Sequence, residues 1–167
     1  ITRAIACFER SLLSGNSPYD QYIKNNNTNA MTDAQIRGMN LFFSDRTNCS
    51  TCHSGFNFTN YAFENNGLYI QYADIGRMRL TLKEEDMALF KVPGLRNIEM
   101  TGPYMHDGSI QTLQQVIDHY QSGGMDHPHK NPILKPLDLT TPEQKDLIEF
   151  LKALTDDTFL TNPIFKY

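Results

Sequence analysis

The 167 residues include no tryptophan, only three cysteines, and 15 basic against 19 acidic side chains, a formal charge of −4. Each scarcity closes off a class. Cys7, Cys49 and Cys52 are too few for a disulfide scaffold, and their odd number leaves one thiol over in any pairing. No apolar run approaches the ~20 residues of a spanning helix, so no helical membrane crossing is expected. Lysine and arginine are scattered, which leaves no phosphate-facing stripe for a nucleic acid. Repeats are absent too. What remains is an ordinary globular composition, 40% hydrophobic with 10 Phe and 8 Tyr. The opening Ile1-Thr2-Arg3-Ala4 reads as the inside of a helix, without an initiator Met or a signal peptide. It predicts a piece cut from something longer, with any targeting signal outside these residues.

Hydrophobic spacing predicts a mainly α chain with long loops. Ile1, Ile5, Phe8 and Leu12 recur at helical spacing until Gly15, and Cys7 beside Phe8 is expected as a small buried hydrophobe. Asn16-Ser17-Pro18 opens a short second helix carrying Tyr19 and Tyr22. A polar loop of asparagines follows. Thr32 with Gln35, and Thr112 with Gln115, are capping-box pairs ahead of apolar stripes. The first stripe holds Ile36, Met39, Leu41, Phe42 and Phe43. The second holds Leu113, Val116, Ile117 and Tyr120, and ends at Gly123-Gly124. The last helix is predicted to cap at Thr141, with Pro142 first inside it and Leu147, Ile148, Leu151 and Leu154 buried. Residues 54–83 read as loop, 84–90 as one or two helical turns, and 91–109 as irregular because of their prolines and glycines.

The chemistry lies in Cys49-Ser50-Thr51-Cys52-His53, the pattern of c-type haem attachment. Two thiols three residues apart can form thioethers to the two vinyl groups of one porphyrin, and the adjacent histidine reaches the iron as proximal ligand. A structural zinc site would need two more ligands at paired spacing, which do not follow. A redox CxxC would need a βαβ setting, which the pattern denies. The ligand on the second face of the iron then decides between an open, reactive site and an electron carrier. Met105, His106, His119 and Tyr120 are the candidates. Tyr120 lies on the core-facing stripe of its helix and Met105 in a Gly/Pro-rich loop; the spacing leaves both open. His119 is expected in solvent, and His127 and His129 as exposed loop residues.

Longer stretches carry a resemblance. The order CSTCH, Phe90-Lys91-Val92-Pro93-Gly94-Leu95-Arg96-Asn97, Thr101-Gly102-Pro103-Tyr104-Met105-His106-Asp107-Gly108, then Thr112-Leu113 and Tyr120 to Gly124, resembles the C-terminal haem domain of bacterial di-haem cytochrome c peroxidases and MauG-type enzymes. Residues 4–17 resemble the helix that joins the two domains of that family. The resemblance implies a division into an inter-domain-type helix and loop over 1–30 and one cytochrome c-like haem domain over 31–167. It implies one covalent haem c on Cys49 and Cys52, with His53 proximal, Tyr120 distal, and Arg96 near a propionate. The carbonyls of Thr101 and Pro103 match positions that help bind calcium. Met105 corresponds to a loop position that is not the ligand.

The family's N-terminal haem domain, where the peroxidases reduce hydrogen peroxide, has no counterpart here: there is no second CxxCH. The resemblance therefore implies an electron-transfer domain of a peroxide-using oxidoreductase, working with that partner domain and a redox partner protein. A periplasmic home and a homodimer are further family expectations. The alternative is a standalone monohaem cytochrome, without enzymatic activity, ligated by Met105. A thioether is neutral and soft and favours Fe(II); a phenolate is anionic and hard and favours Fe(III) and higher states.

Overall fold

Four capping boxes set where four of the helices begin. In the computed structural model, which describes residues 1–165, these are Ser17/Asp20, Thr32/Gln35, Thr112/Gln115 and Thr140/Glu143. Each satisfies orphan N–H groups reciprocally, worth roughly 1 kcal/mol per cap. The helices are α1 (Thr2–Ser11), α2 (Pro18–Lys24), α3 (Asp33–Phe42), α4 (Cys49–Cys52), α5 (Met78–Thr81), α6 (Leu113–Ser122), α7 (Thr141–Lys152) and α8 (Asp157–Leu160). Short 3₁₀ turns occur at Glu84–Asp86, Ile98–Met100 and Pro163–Phe165. The chain is mainly α, as expected. Its one described sheet pairs β1 (Phe63–Glu64) with β2 (Phe90–Lys91), antiparallel, Phe63 opposite Lys91. The last helix caps one residue earlier than expected. Thr140 holds Glu143, so Thr141 is the first helical residue and Pro142 the second.

The core forms where α3 lies on α7. A Cβ at Gly38 would sit 1.9 Å from the Asp146 carbonyl oxygen and 2.9 Å from Phe150 Cβ, so the two backbones meet only because that position has no side chain. Phe42, Phe58, Leu147, Phe150 and Leu154 are buried there. The rings of Phe42 and Phe150 stand 5.1 Å apart, and Tyr19 edges onto Phe150 at 5.7 Å. Such side chains contribute roughly 1.5–3 kcal/mol each by leaving water. The Arg37–Asp146 pair (2.7 Å) joins the outer edges of the two helices and, being exposed, adds little.

The N-terminal segment divides at Ser14. α1 buries none of its residues, meeting the rest of the chain through Phe8 edge-on to Phe165 at 6.5 Å, and Cys7 is exposed, which corrects the expectation of a buried thiol: the helix gives its cysteine no core to enter. From Gly15 onward the chain enters the body. The Asp156 carboxylate accepts the N–H groups of Gly15 (2.9 Å) and Asn16 (2.8 Å), and Tyr19 N–H donates to the Ala153 carbonyl (3.1 Å). Residues 15–24 thus pack against the body of the chain.

Residues 54–110 are irregular but tied. Asn65, fully buried, donates to the Ala88 carbonyl (3.0 Å) and accepts from Gly67 N–H (2.7 Å) and the Tyr72 hydroxyl (3.2 Å). Leu68, Tyr72 and Ala88 form a second small core around it. Among the described residues no helix is long and apolar enough to cross a membrane.

Candidate functional site

Asn48 adopts a left-handed backbone (φ 55°) and turns the chain into α4, a single helical turn that presents both cysteines. Phe58, also left-handed (φ 53°) and buried in the aromatic core, offers its carbonyl to His53 Nδ1 at 3.0 Å. A backbone carbonyl can only accept, so Nδ1 carries the proton and Nε2 is the nitrogen left to bind a metal. Burial pushes the His53 pKa down against the carbonyls of Phe58 and Pro93, so the ring is neutral at pH 7. Burial raises the pKa of both Cys49 and Cys52; both thiols are free.

These three residues line a cavity of about 400 Å³, within the range of cofactor sites. α6 and α7 close it with Leu113, Ile117, Leu147 and Leu151, and β2 and the following loop close it with Phe90 and Leu95. Tyr120 lines the same cavity, one turn beyond Ile117 on α6. Burial pushes its phenol up, while the nearby Asn66 side chain pulls the other way. Met105, in a left-handed loop position (φ 71°), also lines it, its sulfur accepting from Asn66 Nδ2 at 3.2 Å. An apolar cavity holding two free thiols, a neutral imidazole with one nitrogen open, and a phenol matches the donor set of a covalently attached porphyrin iron. The residues fit the group.

Other expected site residues fall elsewhere. Arg96 does not line the cavity. Its guanidinium donates to both Asp20 oxygens (2.7 and 3.0 Å) and to the Phe56 carbonyl (2.7 Å), a buried pair with side chains 8% and 3% exposed. Its donors are thus committed to an internal carboxylate and a backbone carbonyl. Thr101 and Pro103 do line the cavity. Among the described residues no group of three or more His, Cys, Asp or Glu side chains could hold a metal ion.

The histidines also differ from expectation. His119 Nε2 donates to the Asn66 carbonyl (3.0 Å), and burial lowers its pKa, so it is half-buried rather than solvated. His127 and His129 are half-buried as well; His127 Nδ1 receives the His129 N–H (3.1 Å) and His129 Nδ1 donates to the Met87 carbonyl (3.2 Å). A spacing argument missed them because their partners come from distant loops. It also missed Asn66, hidden in an Asn-Asn-Gly stretch that signals only a turn, and the exposed Lys91 and Lys135 at the cavity edge.

No family model matches the chain. Curated relatives do. The chain is 36% identical over 156 residues to methylamine utilization protein MauG of Methylorubrum extorquens, covering 92% of this chain and 43% of that protein. It is 41% identical over 124 residues to cytochrome c peroxidase Ccp of Escherichia coli K12, covering 70% of this chain and 26% of that protein. Among solved structures, a MauG-like protein associated with microbial copper homeostasis superposes with a TM-score of 0.88 at 35% identity, covering 97% of this chain and 58% of that one. The chain thus spans less than half the length of these curated relatives. Sequence and fold together place it: the chain belongs to the family of MauG and the di-haem cytochrome c peroxidases.

Proposed function

We propose that this chain is the C-terminal haem domain of a peroxide-using di-haem oxidoreductase, with one haem c attached to Cys49 and Cys52, His53 as proximal and Tyr120 as distal ligand. The observation that carries the reading is that one cavity gathers all four residues from α4, its C-cap and α6. When bound, the haem iron supplies one-electron redox chemistry. The protein's part is positional. The Phe58 carbonyl fixes the His53 tautomer and ring direction, and such outer partners also raise ligand basicity. The neutral thiols are held side by side on one turn. Leu113, Ile117 and Leu151 keep bulk water from the site, which raises the weight of every charge within it. Losing the Tyr120 proton requires a cation's charge, because burial works against it. A phenolate so held favours the oxidised metal, suiting a domain that stores oxidising equivalents more than a simple carrier.

The unmatched remainder of the relatives' length supports a partner haem domain on the same polypeptide, where hydrogen peroxide would react. Exposed Lys91 and Lys135 at the cavity edge are the cations we assign to the propionates in place of Arg96. A redox partner protein, a periplasmic home, a homodimer, and calcium bound through the Thr101 and Pro103 carbonyls complete the proposal. The second reading, a standalone electron carrier ligated by Met105, is favoured by one observation, the presence of Met105 on the same cavity wall.

Intact mass of the protein matured with its haem machinery tests the first claim. One covalent haem on this domain, lost when Cys49 and Cys52 are both changed to Ser, supports it; an unmodified mass refutes it. Peroxide reduction by the full-length protein, with no peroxide reactivity from this domain alone, supports the assigned role. A full-length protein inert to peroxide refutes it.

A further inference from the structure

Asn66 engages one candidate for the second ligand and the helix that carries the other. Its Nδ2 donates to the Met105 sulfur (3.2 Å). Its own backbone carbonyl accepts from His119 Nε2 (3.0 Å), the neighbour of Tyr120 on α6, so the residue is tied to that helix.

The residue is also held in place. Asn65, just before it, is fully buried and bonded to Ala88 and Tyr72. Gly67, just after it, takes φ +68°, and a Cβ there would lie 2.7 Å from the Met125 carbonyl oxygen. The Gly67 carbonyl accepts the Met125 N–H at 2.7 Å. On the other side, a Cβ at Gly124 would lie 2.7 Å from the Asn66 carbonyl oxygen. Backbone thus closes around the Asn66 main chain and fixes where its side chain begins. Met105 is likewise packed against the small core of Leu68, Tyr72 and Ala88.

We propose that Asn66 is a positioning residue that selects Tyr120 over Met105 as distal ligand, by holding the Met105 sulfur aside while its backbone carbonyl anchors α6 beside Tyr120. The inference rests on the haem reading above. A thioether is a weak acceptor, but the amide N–H at 3.2 Å keeps the Met105 sulfur engaged where it is. Outer-shell partners of this kind change affinity or activity 10–100-fold when removed.

The test uses the haem-loaded full-length protein. In Asn66→Leu, Met105 is freed. The ferric spectrum is expected to gain a far-red sulfur–iron charge-transfer band, and the reduction potential to rise by about tenfold in the one-electron equilibrium, or ~59 mV. Met105→Leu in that background is expected to remove the band. Asn66→Ala, which removes the N–H donor without adding a charge, gives the same direction of change if the leucine variant fails to mature. Unchanged spectrum and potential in both Asn66 variants, with a spectrum altered by Tyr120→Phe, overturn this inference alone. A spectrum unaltered by Tyr120→Phe overturns the ligand reading itself, and the inference with it.

Discussion

The cavity has a helical wall and a loop wall, and they are held by different forces. The helical wall, α6 and α7 braced by α3, rests on apolar burial: Phe42, Leu147, Phe150 and Leu154 form a continuous core, and Gly38 sets how closely the helices approach. The loop wall, residues 54–110, buries a smaller core and relies on side-chain amides, a charged pair and left-handed backbone positions such as Phe58, Asn97 and Met105. Apolar burial is tolerant of sequence and hard to move; polar ties are specific and fail one at a time. His53 sits at the seam, attached to α4 but aimed by a carbonyl from the loop side.

Four substitutions would break or sharpen this contrast. Phe150→Ala should cost the most on the helical side, about 3–5 kcal/mol in a denaturant titration, because it opens the centre of the aromatic core. Asp20→Asn should match it from the polar side, at about 3–5 kcal/mol, since it strands a buried guanidinium.

The second effect carries a pH signature that the first lacks. Burial works to raise the Asp20 carboxyl, but Arg96, Ser17 and Lys24 together hold it well below the usual carboxylate range. Its contribution is therefore whole above the unfolded value near ~3.9 and fades as pH falls below that toward the folded value. Asp20→Asn should flatten the acid limb of stability between about pH 4 and pH 2, while Phe150→Ala should leave its slope intact. Equal slopes in the two variants would contradict the division of labour. Gly38→Ala should cost about 1–3 kcal/mol by forcing α3 off α7, read as a lowered denaturant midpoint with unchanged m. Thr112→Ala should cost least, about 1 kcal/mol, by uncapping α6 where it carries Tyr120.

The same contrast explains what could be read from the residues alone. Capping boxes and 3.6-residue stripes are local, so α3, α6 and α7 emerge within a residue of their places, the single-residue slip at Thr140 arising because Thr140 and Thr141 are both able to cap. The Cys49-Cys52-His53 run is also local, and the structure brings it to the same cavity as Tyr120. What the residues could not disclose depends on distant partners. Arg96 is claimed by Asp20, 76 positions earlier, and His119 by the carbonyl of Asn66, 53 positions earlier. Cys7 fails for the opposite reason: its helix has the apolar spacing of a packed element and buries none of its residues. Asn66 has no signature at all, because an asparagine before glycine reads as a turn whether or not its amide has a second task.

The ferric absorption spectrum of the haem-loaded protein, extended into the far red, tests the central claim most directly. Ligation by His53 and Tyr120 predicts a Soret band with no sulfur–iron charge-transfer band, altered by Tyr120→Phe. A sulfur band in the unaltered protein, abolished by Met105→Leu, would contradict it and make this domain a thioether-ligated electron carrier.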